Sequence, residues 1–291
     1  MSPRDVALAV MIALLWGLNF AITKTALDEL PPLILVSMRF VLVAAILLPI
    51  VRLPRGYLGK LGLLSVTLGL IHFSMMFTAL QYVDAAVASI TIQIQVPFAA
   101  LLAAVAYGDK LGWRRALGMV VAIAGVGILA GEPRTSSALW AVGLVVGAAM
   151  VWAIANIQMK QLDQVNVLAI NAYLGLFAAP QLAAASLVLE QGQWQAITGA
   201  SWIAWGAVGY QAIIVVILCY SLWYGLLRRY PVNNVMPFTL LVPIFGVLGG
   251  ITIRGEPVTW NLLVGGLFTI VGVGIIVIRR PKLTVGMFKD T

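Results

Sequence analysis

The sequence predicts an all-α integral membrane protein of ten transmembrane helices, arranged as two five-helix repeats of opposite orientation. Three observations predict it. Of 291 residues, 62% are hydrophobic and 10% are charged, against about 25% charged in a soluble domain. A chain this long cannot hide that deficit in one core, so lipid must cover much of its surface. A stretch of the first half, GDKLGWRRALGMVVAIAGVG (108–127), returns as GEPVTWNLLVGGLFTIVGVG (255–274). Finally, the basic residues crowd into one alternating set of gaps between apolar runs, which is a membrane-orientation pattern.

Runs long enough to approach the ~20 residues of a span lie at 6–23, 33–51, 61–80, 85–107, 116–130, 138–159, 167–189, 202–227, 232–253 and 260–278. All are expected to be helical, because lipid offers the backbone no outside hydrogen-bond partner. The first follows a basic residue, as a signal peptide does. It ends in WGLNFAITK without a small-x-small cleavage site, so it reads as a retained span. The second carries Arg39. Only Tyr82, Val83 and Asp84 separate the third from the fourth. The fourth and ninth contain Pro97 and Pro243, each expected to break its helix at a comparable depth. The short fifth run draws in Trp113 and its neighbours. The sixth follows the linker at Arg134, which sets the repeat units at 1–134 and 135–291. The eighth holds Cys219, the single cysteine. That count forbids an internal disulfide or a thiol metal cluster and reads as a buried structural thiol.

Ten spans put both termini on one side. That side collects Arg4, Arg52, Arg55, Lys60, Lys110, Arg114, Arg115, Lys160, Arg228, Arg229, Arg279, Arg280, Lys282 and Lys289. The other side has Lys24, Arg134 and Arg254. The positive-inside rule makes the termini cytoplasmic. Five spans per copy means the second copy enters the membrane from the opposite side. The cationic loop with Lys110, Arg114 and Arg115 accordingly has Pro257, Asn261 and Leu262 as its counterpart. Trp16 and Lys24 in the first span match Trp152 and Lys160 in the sixth, and Asn19 and Asn156 lie one turn beyond each tryptophan. Inverted repeats with paired helix breaks form a transporter architecture whose cargo sits where the repeats meet.

With these features the chain resembles the drug/metabolite transporter superfamily, and within it the EamA-type bacterial exporters. The motifs that carry the resemblance are LLWGLNFAITKTALDELPPLILVSMRF (14–40) and the two repeat ends quoted above. It covers the whole chain as two EamA repeats. It implies export of small metabolites, with amino acids as the leading class, across the bacterial inner membrane. Organic-cation efflux and nucleotide-sugar transport are alternatives. An intramembrane enzyme is a third, but only His72 and Cys219 could do chemistry there and nothing in the sequence brings them together.

No Asp or Glu is read deep within a span, so no carboxylate proton relay is expected. His72 lies midway along the third span, either as a functional group or as a neutral imidazole bonded to nearby backbone; Met75 and Met76 follow one turn on. Arg39 has two readings: it snorkels or pairs with Asp28 or Glu29, or its fork takes a cargo carboxylate. Lys24 and Lys160 read as interfacial anchors. Trp16, Asn19, Phe20 and Thr23 share one helical face, as do Trp152, Asn156 and Met159, and the recurring stripe suggests a cavity lining. Gln93 and Gln95 precede Pro97, which frees a carbonyl one turn earlier. Gln211, Tyr220, Tyr224 and Thr239 are further polar candidates. The GVG glycines, with Gly118 and Gly265, read as close-packing positions, and Trp113 and Trp260 as interfacial anchors.

The expected partners are a small-molecule substrate and the bilayer. The net charge of +8 orients the protein and does not signal nucleic acid. No cofactor or metal site is expected, and the chain is expected to be a monomer or weak dimer.

Overall fold

The computed structural model describes residues 1–107, 112–131 and 139–278. The expected repeat boundary at Arg134 and the cations Lys110, Arg279, Arg280, Lys282 and Lys289 lie outside them. The described residues form helices and their connections, with no strand. The spanning helices are α1 (Pro3–Leu27), α2 (Pro32–Leu47), α3 (Leu58–Tyr82), α4 (85–107) and α5 (Trp113–Ala130). They continue as α6 (Leu139–Lys160), α7 (Val167–Leu189), α8 (Trp202–Arg229), α9 (232–254) and α10 (Trp260–Val277). Nine of these contain stretches long and apolar enough to cross a membrane, and α2 is a shorter apolar helix.

Each helix start must satisfy N–H groups that lipid cannot. Four starts do so locally: the side chains of Ser2, Asn166, Ser201 and Thr259 accept from the amides of Asp5, Leu168, Ala204 and Leu262. The starts of α2 and α4 have no local side-chain cap. Their caps come from the other repeat. Glu190 accepts from the amides of Leu33 at 2.7 Å and Ile34 at 3.2 Å. Glu256 accepts from the amides of Ala85 at 2.7 Å and Ala86 at 2.9 Å.

Contacts between helix ends show the inversion. Where α1 begins, the near face, Asp5 meets Arg229 and Tyr230 at the end of α8. Where α1 ends, the far face, Asp28 meets Arg254 at the end of α9. Tyr82, closing α3, stacks on Trp140 at the start of α6, so α6 begins on the far face and runs opposite to α1. The helix pairs repeat accordingly. α1 packs on α9 as α6 packs on α4, and α3 packs on α6 as α8 packs on α1. The pairs α5–α10 and α2–α7 are each their own counterpart.

The α5–α10 pair explains the repeated glycines. A Cβ on Gly118 would lie 2.7 Å from the Gly272 carbonyl oxygen, and one on Gly272 would lie 2.6 Å from that of Gly118. Gly125 and Gly265 face each other in the same reciprocal way, at 2.6 and 2.8 Å. Small residues let these backbones touch, and in lipid such packing drives helix association. Gly127 meets nothing within 4 Å, so the close packing read for GVG rests on its first glycine.

Backbone irregularities are paired as well. α3 carries a π-helical stretch at Ser65–His72 and α8 one at Tyr210–Cys219. α4 passes through a 3₁₀ turn at Ile92–Ile94, just before Pro97, and α9 through one at Met236–Leu240, just before Pro243. Proline lacks the amide that would continue the ladder, so each break sits where the sequence puts it.

Candidate functional site

The paired breaks meet at the middle of the molecule. Gln93 on the α4 turn donates to the carbonyl of Thr239 on the α9 turn at 3.4 Å, and Gln95 donates to the Gln93 side chain at 3.5 Å. Of the two glutamines, Gln93 is the one that reaches across to the other repeat.

Between this bridge and the far face the protein is closed. The second half of α9 packs on the first half of α4, with Gly246 against the Ser89 side chain and Gly250 against Glu256. Lys24 adds to the closure by donating to the carbonyls of Leu80, at 3.1 Å, and Val83. The counterpart contact, between 95–107 and 232–240 near the other face, has no comparable packing among the described residues. An open cleft of about 260 Å³, lined by Lys24, Leu27, Asp28, Gln81 and Tyr82, indents the far surface. It lies outside the seal and includes none of the expected cavity residues.

The expected residues gather into two aromatic groups related by the repeat. Trp16 packs against Tyr220, with ring centroids 5.6 Å apart, and against Trp223 at 5.2 Å. Trp152 packs against His72 at 4.9 Å. Asn19 accepts from Thr23 at 3.5 Å, on the shared stripe. Met76 is buried; Asn156 and Tyr224 are half-buried. His72 lies 2.8 Å from the Ala148 carbonyl through Nδ1; as donor, that nitrogen leaves Nε2 unprotonated in the neutral ring. Gln211 is completely buried, and neither of its amide atoms has a protein partner. Trp16 Nε1 is likewise buried and unpaired. Cys219 is buried in the π-helical stretch of α8.

Arg39 departs from the first of its two readings. Asp28 is taken by Arg254, and Glu29 accepts from Ser201 through both N–H and Oγ–H at 2.6 Å. The guanidinium neither snorkels nor pairs: it is 3% exposed and stacks 4.1 Å from the centroid of Phe73, 4.6 Å from Phe40 and 5.3 Å from Phe77. Its Nε and Nη2 are buried without partners. The reason is geometric. Arg39 lies about 10 Å along α2, at 1.5 Å per residue, on the face that packs into the bundle, while the two acids sit in the gap above it. A desolvated cation–π contact contributes about 2 kcal/mol, and an unpaired buried ion costs several kcal/mol. The three rings together offset a cost of that order, but they leave the buried Nε and Nη2 without an acceptor.

Sequence reasoning missed the three-phenyl box, because Phe73 and Phe77 come from α3 and no periodicity in α2 announces them. It also read Glu190 and Glu256 only as residues in gaps. Their one visible signal was the absence of a capping side chain before α2.

A model of the EamA-like transporter family matches residues 4–131 and again residues 139–278. The chain belongs to this family. Both EamA repeats are therefore present, one per match, and the ten-helix architecture is that of a transporter. Among relatives of this EamA-like protein, a "Probable amino-acid metabolite efflux pump" of Salmonella typhimurium is 30% identical, covering 94% of this chain and 95% of the relative. Its namesake in Escherichia coli is 29% identical with the same coverage. An "S-adenosylmethionine/S-adenosylhomocysteine transporter" of Chlamydia muridarum is 24% identical over 94% of this chain and 92% of its own. One solved structure, 18% identical, superposes with a TM-score of 0.62 over 94% of this chain and 96% of its own, and so shares the fold.

Proposed function

We propose that this EamA-like protein exports amino acids and related small metabolites across the bacterial inner membrane by alternating access, with its termini in the cytoplasm. The observation that carries the reading is the unequal closure of two equivalent contacts. In an inverted repeat, the α4–α9 contact at the far face and its counterpart at the near face are the same interface built twice. Here one is packed, and the other has no comparable packing among the described residues. Exchanging the two conformations between the repeats opens the far face and closes the near one, with no new contact type required. The breaks before Pro97 and Pro243 are where α4 and α9 bend.

We assign the cargo to the space between the breaks, beside the Trp16–Tyr220 and Trp152–His72 groups and the Gln93–Thr239 bridge. Aromatic rings and neutral amides give apolar surface with few fixed demands, which suits broad selectivity. Every carboxylate among the described residues sits at a helix end or in a gap, which disfavours an organic-cation site. The names of the Salmonella and Escherichia coli relatives support amino-acid metabolites as cargo.

The test is reconstitution into liposomes loaded with a mixed amino-acid set, followed by analysis of which solutes leave. Selective efflux is expected. In a Cys219→Ser background, Asp84→Cys before α4 and Pro257→Cys after α9, which line one small pocket, joined by a reversible bifunctional thiol reagent should hold the far α4–α9 contact shut and stop efflux until the link is cut. Full flux in the linked protein would refute alternating access at this gate, and no flux of any solute would refute the carrier reading.

A further inference from the structure

The carrier reading leaves unstated which part of the cargo the protein grips. Arg39 is 3% exposed, with no hydrogen bond or ion pair to any described residue. The two nitrogens buried without partners are Nε and Nη2. These lie side by side on one edge of the guanidinium and point their N–H bonds the same way. That edge is the fork that meets both oxygens of a carboxylate. The rings of Phe40, Phe73 and Phe77 surround the group at 4.1–5.3 Å and offer its N–H groups no lone-pair acceptor. Phe73, one of those rings, lies 4.8 Å from the His72 ring, which in turn packs on Trp152 at 4.9 Å, so the guanidinium adjoins one of the two aromatic groups. Trp16 Nε1 and the whole Gln211 amide add further buried donors and an acceptor without partners. Gln211 lies on the stretch of α8 that packs on α2.

Among the described residues the opposite charge is missing from the middle of the molecule. Asp5 is held by Arg229 and Tyr230, Asp28 by Arg254, and Glu29 by Ser201. Glu190 caps α2 and Glu256 caps α4. Asp84 and Asp163 lie in gaps.

We propose that Arg39 docks the carboxylate of the cargo through its Nε–Nη2 edge, and that the cargo's ammonium group is dispensable. The substrate class is then organic carboxylates with an apolar or aromatic arm. Free α-amino acids, their N-acyl forms and simple carboxylic acids belong to it, while amines, amides and esters of the same skeleton do not. This rests on the carrier reading for the location of the cargo.

The probes share one side chain: phenylalanine, N-acetylphenylalanine, phenylacetate, phenylalanine methyl ester and phenethylamine. Two readouts are taken on the full chain, thermal stabilisation in detergent and flux in liposomes. The first three probes are expected to stabilise the protein and move. The ester and the amine are expected to bind at least tenfold more weakly. Arg39→Lys keeps the charge but loses the fork, and should lose at least tenfold in apparent affinity for phenylacetate; Arg39→Gln should lose the response. If a neutral residue at 39 prevents folding, the wild-type probe series decides alone. Equal response to acid, ester and amine overturns the carboxylate assignment and leaves the carrier standing. Stabilisation by the acids without flux of any probe supports the docking site and counts against the carrier. No response to any probe overturns the carboxylate assignment, while the carrier reading stands or falls on efflux of the mixed amino-acid set.

Discussion

Gly125 and Gly127 stand two residues apart on α5, and replacing each by alanine should have opposite consequences. At 125 the new Cβ lies 2.5 Å from the Thr269 amide nitrogen and 2.6 Å from the Gly265 carbonyl oxygen. Real Cβ contacts do not fall below 3.0 Å, so α5 and α10 must part by about 0.4–0.5 Å. A gap of about that size forfeits roughly a quarter of each dispersion contact. Here it does so along a seam that Gly118 and Gly272 also close, and forced overpacking typically costs about 1–3 kcal/mol. At 127 the Cβ meets nothing within 4 Å, and alanine gains up to about 1 kcal/mol in helix propensity. The propensity gain is common to both variants, so they should differ by the overpacking cost, about 1–3 kcal/mol. For a chain of this size each kcal/mol moves the midpoint by about 2–4 °C, so thermal unfolding in detergent should separate them by about 2–12 °C, with Gly127→Ala the more stable. Equal midpoints would refute the reciprocal glycine seam as the contact that joins the repeats.

Three further outcomes follow from the caps. Glu190→Ala strips the amides of Leu33 and Ile34 of their acceptor, at about 1–2 kcal/mol for a lost cap; hydrogen exchange of the first turn of α2 should quicken about tenfold while the α7 amides hold steady. The two bonds from Ser201 keep the Glu29 carboxyl below the usual carboxylate range, so the link it makes is fully present above its ordinary value near 4.5 and is lost as pH falls through the lowered one. Exchange at Ser201–Ala204 should rise on acidification, and Glu29→Gln should abolish that dependence. Burial at the α4 start outweighs the two amide bonds and pushes the Glu256 carboxyl upward. The folded state then binds its proton more readily than the unfolded one, so its contribution is complete below about 4.5 and declines as pH rises through the raised value. Glu256→Gln should flatten that part of the stability–pH curve, and an unchanged slope would count against it.

Much of the architecture was legible in the chain because a bilayer leaves so few options. Apolar runs, short gaps and an odd number of spans per copy were enough to predict ten helices in two opposed sets, and the repeated glycines marked one seam between them. The prolines announced both helix breaks, and the repeated Trp and Asn marked the two aromatic groups. Each of these signals is local: a run, a residue type, a spacing. The partner of Arg39 is a different kind of fact. The sequence places carboxylates nearby along the chain, at Asp28 and Glu29, yet the fold turns the guanidinium into the bundle and gives those acids to Arg254 and Ser201 from the other repeat. Nearness in sequence does not determine which side chains share a low-dielectric interior. The same holds for Glu190 and Glu256, whose roles as caps on α2 and α4 appear only when the second copy is inverted against the first. Lipid made the helices and their directions predictable from hydropathy and charge. Which polar groups are satisfied, and which are left without a partner, depended on the packing of helices far apart in the chain.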